Sequence, residues 1–199
     1  MHKIVTAFSL FFLIACKQTG EVEKMKKTDE RLSALASDWS PAVSGLSIRL
    51  ELPAGPLASG QQVETRLHFR NASQEPVRIY LLASEPFRGI QSMLRIRGAA
   101  KGPSFQPPPR PHGYKVTAKD FHLLAPGEQR SFGQTLRLPE SATGKLAVEW
   151  TYRNEVRAWS GGIQTLDGPT EALFDGEEIP HIWTGELRVS LPIEVGPAA

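Results

Sequence analysis

The sequence predicts an all-β domain made of two packed antiparallel sheets with about eight strands. Three observations predict it. Apolar residues recur at every second position through most of the chain, the period of a strand with one dry face and one wet face. Gly (17) and Pro (16) together make about a sixth of the 199 residues, the level of a turn-rich domain and below that of a disordered one. No long helical pattern supplies the crossovers that a βαβ architecture needs, so two packed sheets are the economical solution.

The first strand alternates Leu46, Ile48, Leu50 and Leu52 against Ser47, Arg49 and Glu51. PAGPLASG follows as a Pro- and Gly-rich turn. Val63, Thr65, Leu67 and Phe69 then form one face, with Glu64, Arg66, His68 and Arg70 on the other. Asn71 to Pro76 is a turn of hairpin or sandwich-crossing type that leads to Val77, Ile79 and Leu81. A fourth strand covers about Gln91 to Arg97, with Leu94 and Ile96 inward. Phe121 and Leu123 lead into Ala125-Pro126-Gly127-Glu128, where Pro fixes φ and Gly permits the reversal. Phe132, Leu136 and Leu138 continue the inward set. Leu146, Val148, Trp150 and Tyr152 give the strongest alternation in the chain, and Leu187, Val189, Leu191, Ile193 and Val195 form the last strand. Pro192 cannot donate to a ladder, which places that strand at a sheet edge or beside a bulge.

Gly60 to Leu82, with the pair LAPGEQ and GKLAVEWTYRN, resembles the immunoglobulin-like modules of bacterial envelope proteins. In those modules a strand ending in Asn-x-Ser meets a Pro-led strand, and a Leu-x-Pro-Gly-Glu turn precedes a Gly-led one. The intracellular proteinase inhibitor family has the same layout. The resemblance implies a single immunoglobulin-like antiparallel β-sandwich over residues 45–199, and it carries over no inhibitory-loop residue. Leu146 stands where many such domains carry a corner tyrosine.

Residues 1–15 read as a signal peptide. Lys3 precedes an apolar run from Ile4 to Ile14, too short to span a bilayer as a stable helix. Leu13-Ile14-Ala15-Cys16 resembles the bacterial lipobox, which implies a thioether-linked diacylglycerol on Cys16, cleavage after Ala15 and acylation of the new amino terminus. Cys16 is the only cysteine, so it has no disulfide partner in the chain, and lipidation would silence an otherwise reactive thiol. Two or more acyl chains anchor stably where one does not. Lys17 is not the Asp that marks inner-membrane retention in the lipoprotein family. The expected address is therefore the outer membrane if the source has one, and otherwise the outer face of the cytoplasmic membrane.

Residues 16–44 are expected to be the lipidated cysteine and a flexible, charged tether. Val22, Met25, Leu32, Leu35 and Trp39 approach helical spacing, but Asp29 interrupts the stripe, so a weak helix is the most it supports. Removing residues 1–15 takes one base, Lys3, from the 23 Lys and Arg and leaves 22 against 21 Asp and Glu. That near-neutral balance gives no one-signed surface for nucleic acid.

Two insertions exceed the usual connection length of a sandwich. Residues 98–114 contain Pro107, Pro108 and Pro109, a stiff polyproline II run flanked by Phe105 and Tyr114. Residues 153–183 contain Trp159, Phe174, Ile179 and Trp183. Phe105, Tyr114, Trp159, Phe174 and Trp183 are the candidate binding residues, since loop aromatics supply contact area at low entropy cost. The second reading of the same side chains is structural: a cover for the first insertion, a plug at the sandwich end for the second.

Catalysis and metal binding have no motif here. His68, His112, His122 and His181 show no i,i+4 pair and no HExxH context. Asp175, Glu177 and Glu178 lack the full calcium-loop pattern. There is no G-x-S-x-G element and no phosphate-cradling glycine loop. The expectation is a membrane-anchored, non-catalytic binding or assembly module without cofactor or metal, its partner an envelope protein or glycan. A tethered inhibitor of a protease or other hydrolase is the alternative, and a hydrolase the third reading. Cys16→Ser should abolish lipidation and maturation, because a hydroxyl cannot supply the thioether; normal maturation with detergent-phase partitioning of that variant would refute the anchor.

Overall fold

Strands form along this chain where alternate apolar residues meet a second apolar face. The structure is a computed structural model and describes residues 34–82, 91–98, 116–158, 162–163, 171–172 and 177–198. One four-stranded sheet is ordered β1 (Leu35–Ala36), β2 (Leu46–Leu52), β4 (Gln62–Asn71) and β8 (Gln129–Arg137). The other is ordered β3 (Leu57–Ala58), β12 (Gly185–Gly196), β9 (Gly144–Asn154) and β6 (Ser92–Arg97). β5 (Val77–Tyr80) pairs with β7 (Phe121–Leu124), and β10 (Gly162–Ile163) with β11 (Glu171–Ala172). Among the described strands all pairings are antiparallel except β3 with β12. The chain is an all-β sandwich.

Its core is the inward set of the alternating strands. Leu46, Ile48, Leu50, Leu67, Phe69, Ile79, Val148, Trp150 and Tyr152 are fully buried. Phe69 of β4 meets Trp150 and Tyr152 of β9 edge-on, at centroid separations of 5.2 and 4.9 Å, the arrangement aromatic quadrupoles favour. A chain of paired polar groups runs through this core. Trp150 Nε1–H donates to Ser92 Oγ at 2.8 Å, Ser92 Oγ–H to Gln134 Oε1 at 3.1 Å, and Thr65 Oγ1–H to the Gln134 carbonyl at 2.6 Å. These bonds tie β9, β6, β8 and β4 together.

The turn after β4 crosses the sandwich instead of closing a hairpin, since β5 pairs with β7. Asn71 sets that crossing. Its amide donates to the Glu75 and Leu124 carbonyls at 2.7 and 3.0 Å, and its oxygen accepts from Ser73 N–H and Oγ–H at 2.9 and 2.7 Å. Ala125–Glu128 closes as a reversal through the Glu128 N–H to Ala125 carbonyl bond of 2.9 Å, with Gly127 at φ +75°, the left-handed conformation that glycine adopts freely.

Four expectations change. The compact unit runs from Ala34 rather than from residue 45, and Leu35 lies in a two-residue strand and Trp39 in no helix. PAGPLASG contains a strand, because Leu57 is buried and the end of β12 offers it an edge. Leu123 points outward, 41% exposed, and Leu124 takes the core position instead. That exchange places Tyr80 and Phe121, stacked at 4.8 Å, in a second small core with Leu82, Val116 and Ile179. Pro192 lies opposite Ala147 of β9 in a stretch of β12 that has no second neighbour among the described strands until Val195 meets Leu57, which is an edge position as expected.

Trp150→Ala should cost ~3–5 kcal/mol by chemical denaturation, whereas Glu149→Ala, on the outward face beside Arg97, should stay within about 0.5 kcal/mol. Equal losses would mean that the register is off by one residue.

Candidate functional site

The alternation that buries Leu50, Leu67 and Phe69 turns Arg49, Glu51, Arg66, His68 and Arg70 to the outside of the β1-β2-β4-β8 sheet. Antiparallel register then arranges them in rows. Arg49, His68 and Ser131 stand opposite one another across three strands; Ser47 opposes Arg70, and Glu51 opposes Arg66. Directly opposed side chains are the ones that interact.

Within the middle row, Ser131 Oγ is 2.7 Å from His68 Nδ1, and diagonally across to the next row His68 Nε2 is 3.0 Å from Glu51 Oε2. A neutral imidazole satisfies both contacts when its Nε2–H donates to Glu51 and its Nδ1 accepts the Ser131 proton. Burial lowers the His68 pKa and outweighs the opposing pull of Glu51, with Arg49 and Arg66 adding to the lowering. Arg49 and Arg66 reach Glu51 at 3.7 and 3.9 Å, so three basic side chains share one carboxylate.

Trp39 completes the face. Its segment runs beside β2: Ser37 N–H and Ser40 N–H donate to the Leu50 and Ile48 carbonyls at 2.8 Å each, while the Ser37 and Ser40 hydroxyls accept from Leu50 and Ile48 N–H at 3.0 Å. Those serines hold the segment in register without a full strand. The Arg70 guanidinium lies over the Trp39 ring at 4.5 Å from its centroid, and the His68 and Trp39 rings meet edge-on with their centroids 6.5 Å apart. Cation–π stacking of this kind orders both partners.

The hydroxyl, imidazole and carboxylate have the connectivity of a serine nucleophile with its base and orienting acid, with the ring reversed so that Nδ1 faces the hydroxyl. Ser131 is exposed on an open strand face. One open depression adjoins the face at Arg70, between Asn71–Gln74 and Pro126–Gly127, and another lies between Arg153–Glu155, Arg157 and Thr184–Glu186. Among the described residues no group of three His, Cys, Asp or Glu side chains stands together to hold a metal ion, and no helix is long and apolar enough to cross a membrane.

Trp183 is corrected as a binding residue. It is 3% exposed, stacks on Tyr152 at 5.3 Å, and donates its Nε1–H to the Val43 carbonyl at 2.7 Å. Its own carbonyl accepts from Asn154 Nδ2–H at 2.7 Å. Gly185 makes the seat possible, since a Cβ there would come within 3.1 Å of the indole. The foot of the second insertion is therefore a structural plug, with Ile179 buried as well. Cys16, Phe105, Tyr114, Trp159 and Phe174 lie outside the described residues. The alternation of β4 already groups His68 with Arg66 and Arg70 on the outward face, whereas nothing in the sequence pattern brings Ser131 or Trp39 to them.

No known family, curated protein or solved structure matches the chain.

The lowered His68 pKa fixes a pH dependence. The folded protein holds the imidazole proton less tightly than the unfolded chain, whose value is near 6.5, so unfolding takes up a proton in the interval just below pH 6.5. Stability from this group is fully present above that interval and declines as pH falls through it. His68→Gln should flatten that part of the stability profile measured by urea denaturation; an unchanged slope would refute the assignment.

Proposed function

We propose that the chain is a membrane-anchored, non-catalytic binding module of the cell envelope, held by lipid on Cys16, and that the outer face of the β1-β2-β4-β8 sheet binds an anionic glycan. One observation supports this most directly: Arg70 stacked on half-buried Trp39, with Arg49 and Arg66 on the same face sharing Glu51 as their counter-charge. An aromatic plane packs against the apolar side of a sugar ring, and guanidinium forks take up its acid groups. The openness of the face suits an extended polymer better than a small molecule, which calls for a concave pocket.

The Ser131–His68–Glu51 chain of contacts serves this reading as a positioning network. It fixes the His68 ring, and His68 supports the Trp39 edge. A serine hydrolase also needs donors aimed at a developing oxyanion in a site closed to water, and an exposed hydroxyl on a sheet face has no such enclosure. The proline run at residues 107–111, on which the inhibitor reading depends, is outside the described residues.

Co-sedimentation of the purified full chain with protein-free envelope glycan tests the proposal. Trp39→Ala combined with Arg66→Ala should weaken binding by ~2 kcal/mol or more, with the melting temperature nearly unchanged, and binding should fall as salt rises. Undiminished binding by the double variant would remove the face from consideration. Ester hydrolysis that depends on Ser131 would overturn the non-catalytic assignment.

A further inference from the structure

Ser47 poses a physical problem on this face. It sits between core-facing Leu46 and Ile48 and therefore points outward, yet it is 1% exposed and its Oγ has no hydrogen-bond partner. Arg49 Nε and Arg70 Nε are likewise buried without a partner. The three residues are neighbours by register: Ser47 opposes Arg70, and Arg49 is the next outward residue along β2. Their cover is Trp39. The indole starts from a segment on the far side of β2 and touches Arg70 and His68 on β4, so it crosses the outward side of β2 where Ser47 and Arg49 stand.

Buried polar atoms are rarely left unpaired, and a cluster of them calls for an occupant. Here the cluster offers one hydroxyl and two guanidinium N–H groups. The guanidinium groups are donors only, so they need an acceptor. Two positive charges with Glu51 already shared among Arg49, Arg66 and His68 favour an anionic acceptor over a neutral one.

We propose that Ser47, Arg49 and Arg70 form a carboxylate subsite for a uronic acid residue of the glycan, and that Trp39 is its swinging cover. Rotation about the Trp39 side-chain bonds uncovers the donors, the sugar carboxylate takes their hydrogen bonds, and the displaced indole stacks on the sugar ring. The subsite rests on the face being the glycan-binding surface, and the variants below separate the two.

Isothermal titration of the full chain with the trimer of galacturonic acid, at low ionic strength, provides the test. The trimer should bind, and its neutral methyl ester should bind at least about tenfold more weakly, the loss expected for a charge-assisted hydrogen bond. Ser47→Ala and Arg70→Lys should each lose about tenfold, since one removes the hydroxyl and the other keeps the charge but deletes the Nε–H. Thermal melting of each variant checks that it is folded. Equal binding of acid and ester overturns the proposal, as does tighter binding of a peptide with a free C-terminal carboxylate. Full affinity in both Ser47→Ala and Arg70→Lys, with binding still sensitive to Arg66→Ala, overturns the subsite and leaves the glycan face standing. Binding of the trimer that no face variant alters overturns both.

Discussion

The Tyr152 hydroxyl is the point on which the rest of the sandwich depends. It donates to the Tyr80 carbonyl at 3.0 Å and accepts from the Tyr80 N–H at 3.2 Å, so one side chain of β9 satisfies both backbone groups of the last residue of β5. Burial pushes its phenol pKa well up, which keeps the proton in place for that paired contact. The ring is fixed just as firmly, with Phe69 edge-on at 4.9 Å and Trp183 stacked at 5.3 Å. Leu146 stands where the resemblance would place a corner tyrosine, and Tyr152 makes a side-chain-to-backbone tie from farther along the same strand. Because Tyr80 stacks on Phe121 in the second small core, this one hydroxyl also connects the two cores.

Two asparagines with parallel roles build outward from that tie. Asn71 ends β4 and Asn154 ends β9, both essentially buried. Each carboxamide oxygen accepts a backbone N–H two residues ahead, and each amide donates to two carbonyls. Asn71 thereby joins the crossing turn to the end of β7, and Asn154 joins the foot of the second insertion to Trp183. Neither strand could end in an apolar residue at these points, because several backbone groups would then be buried unpaired.

Legibility of the sequence follows from the kind of interaction involved. Period two was enough to find β2, β4, β8, β9 and β12, since their inward residues each answer only to a dry face. It failed for β1 and β3, which are two residues long and exist because β2 and the end of β12 present an edge. Trp183 misled because an aromatic among Gly, Pro and acids looks like a loop residue, whereas the bonds from Asn154 and to Val43 carry it into the core. The candidate site was half legible. The phase of β4 put Arg66, His68 and Arg70 on one face, but the pairing of β4 with β8 rather than β5 was needed to bring Ser131, 63 residues away in the chain, to His68. Trp39 could not be placed at all from periodicity, since the serines that hold its segment bond to backbone.

Core and face are mechanically one object. Phe69 separates His68 from Arg70, and its ring is locked between Trp150, Tyr152 and Phe132. Any slip of β4 by one residue would send Arg70 into that aromatic box and Phe69 into water, so the register that protects the core also holds the guanidinium against Trp39. The cover is secured differently, by stacking and by two serines on an edge segment, which are interactions of far smaller magnitude than core burial. Under the proposed exchange the indole moves while the strand register that places Ser47, Arg49 and Arg70 side by side stays as it is. A ligand carboxylate then replaces the ring as the group that orders Arg70, and donors already gathered on one face keep the entropic cost of binding low.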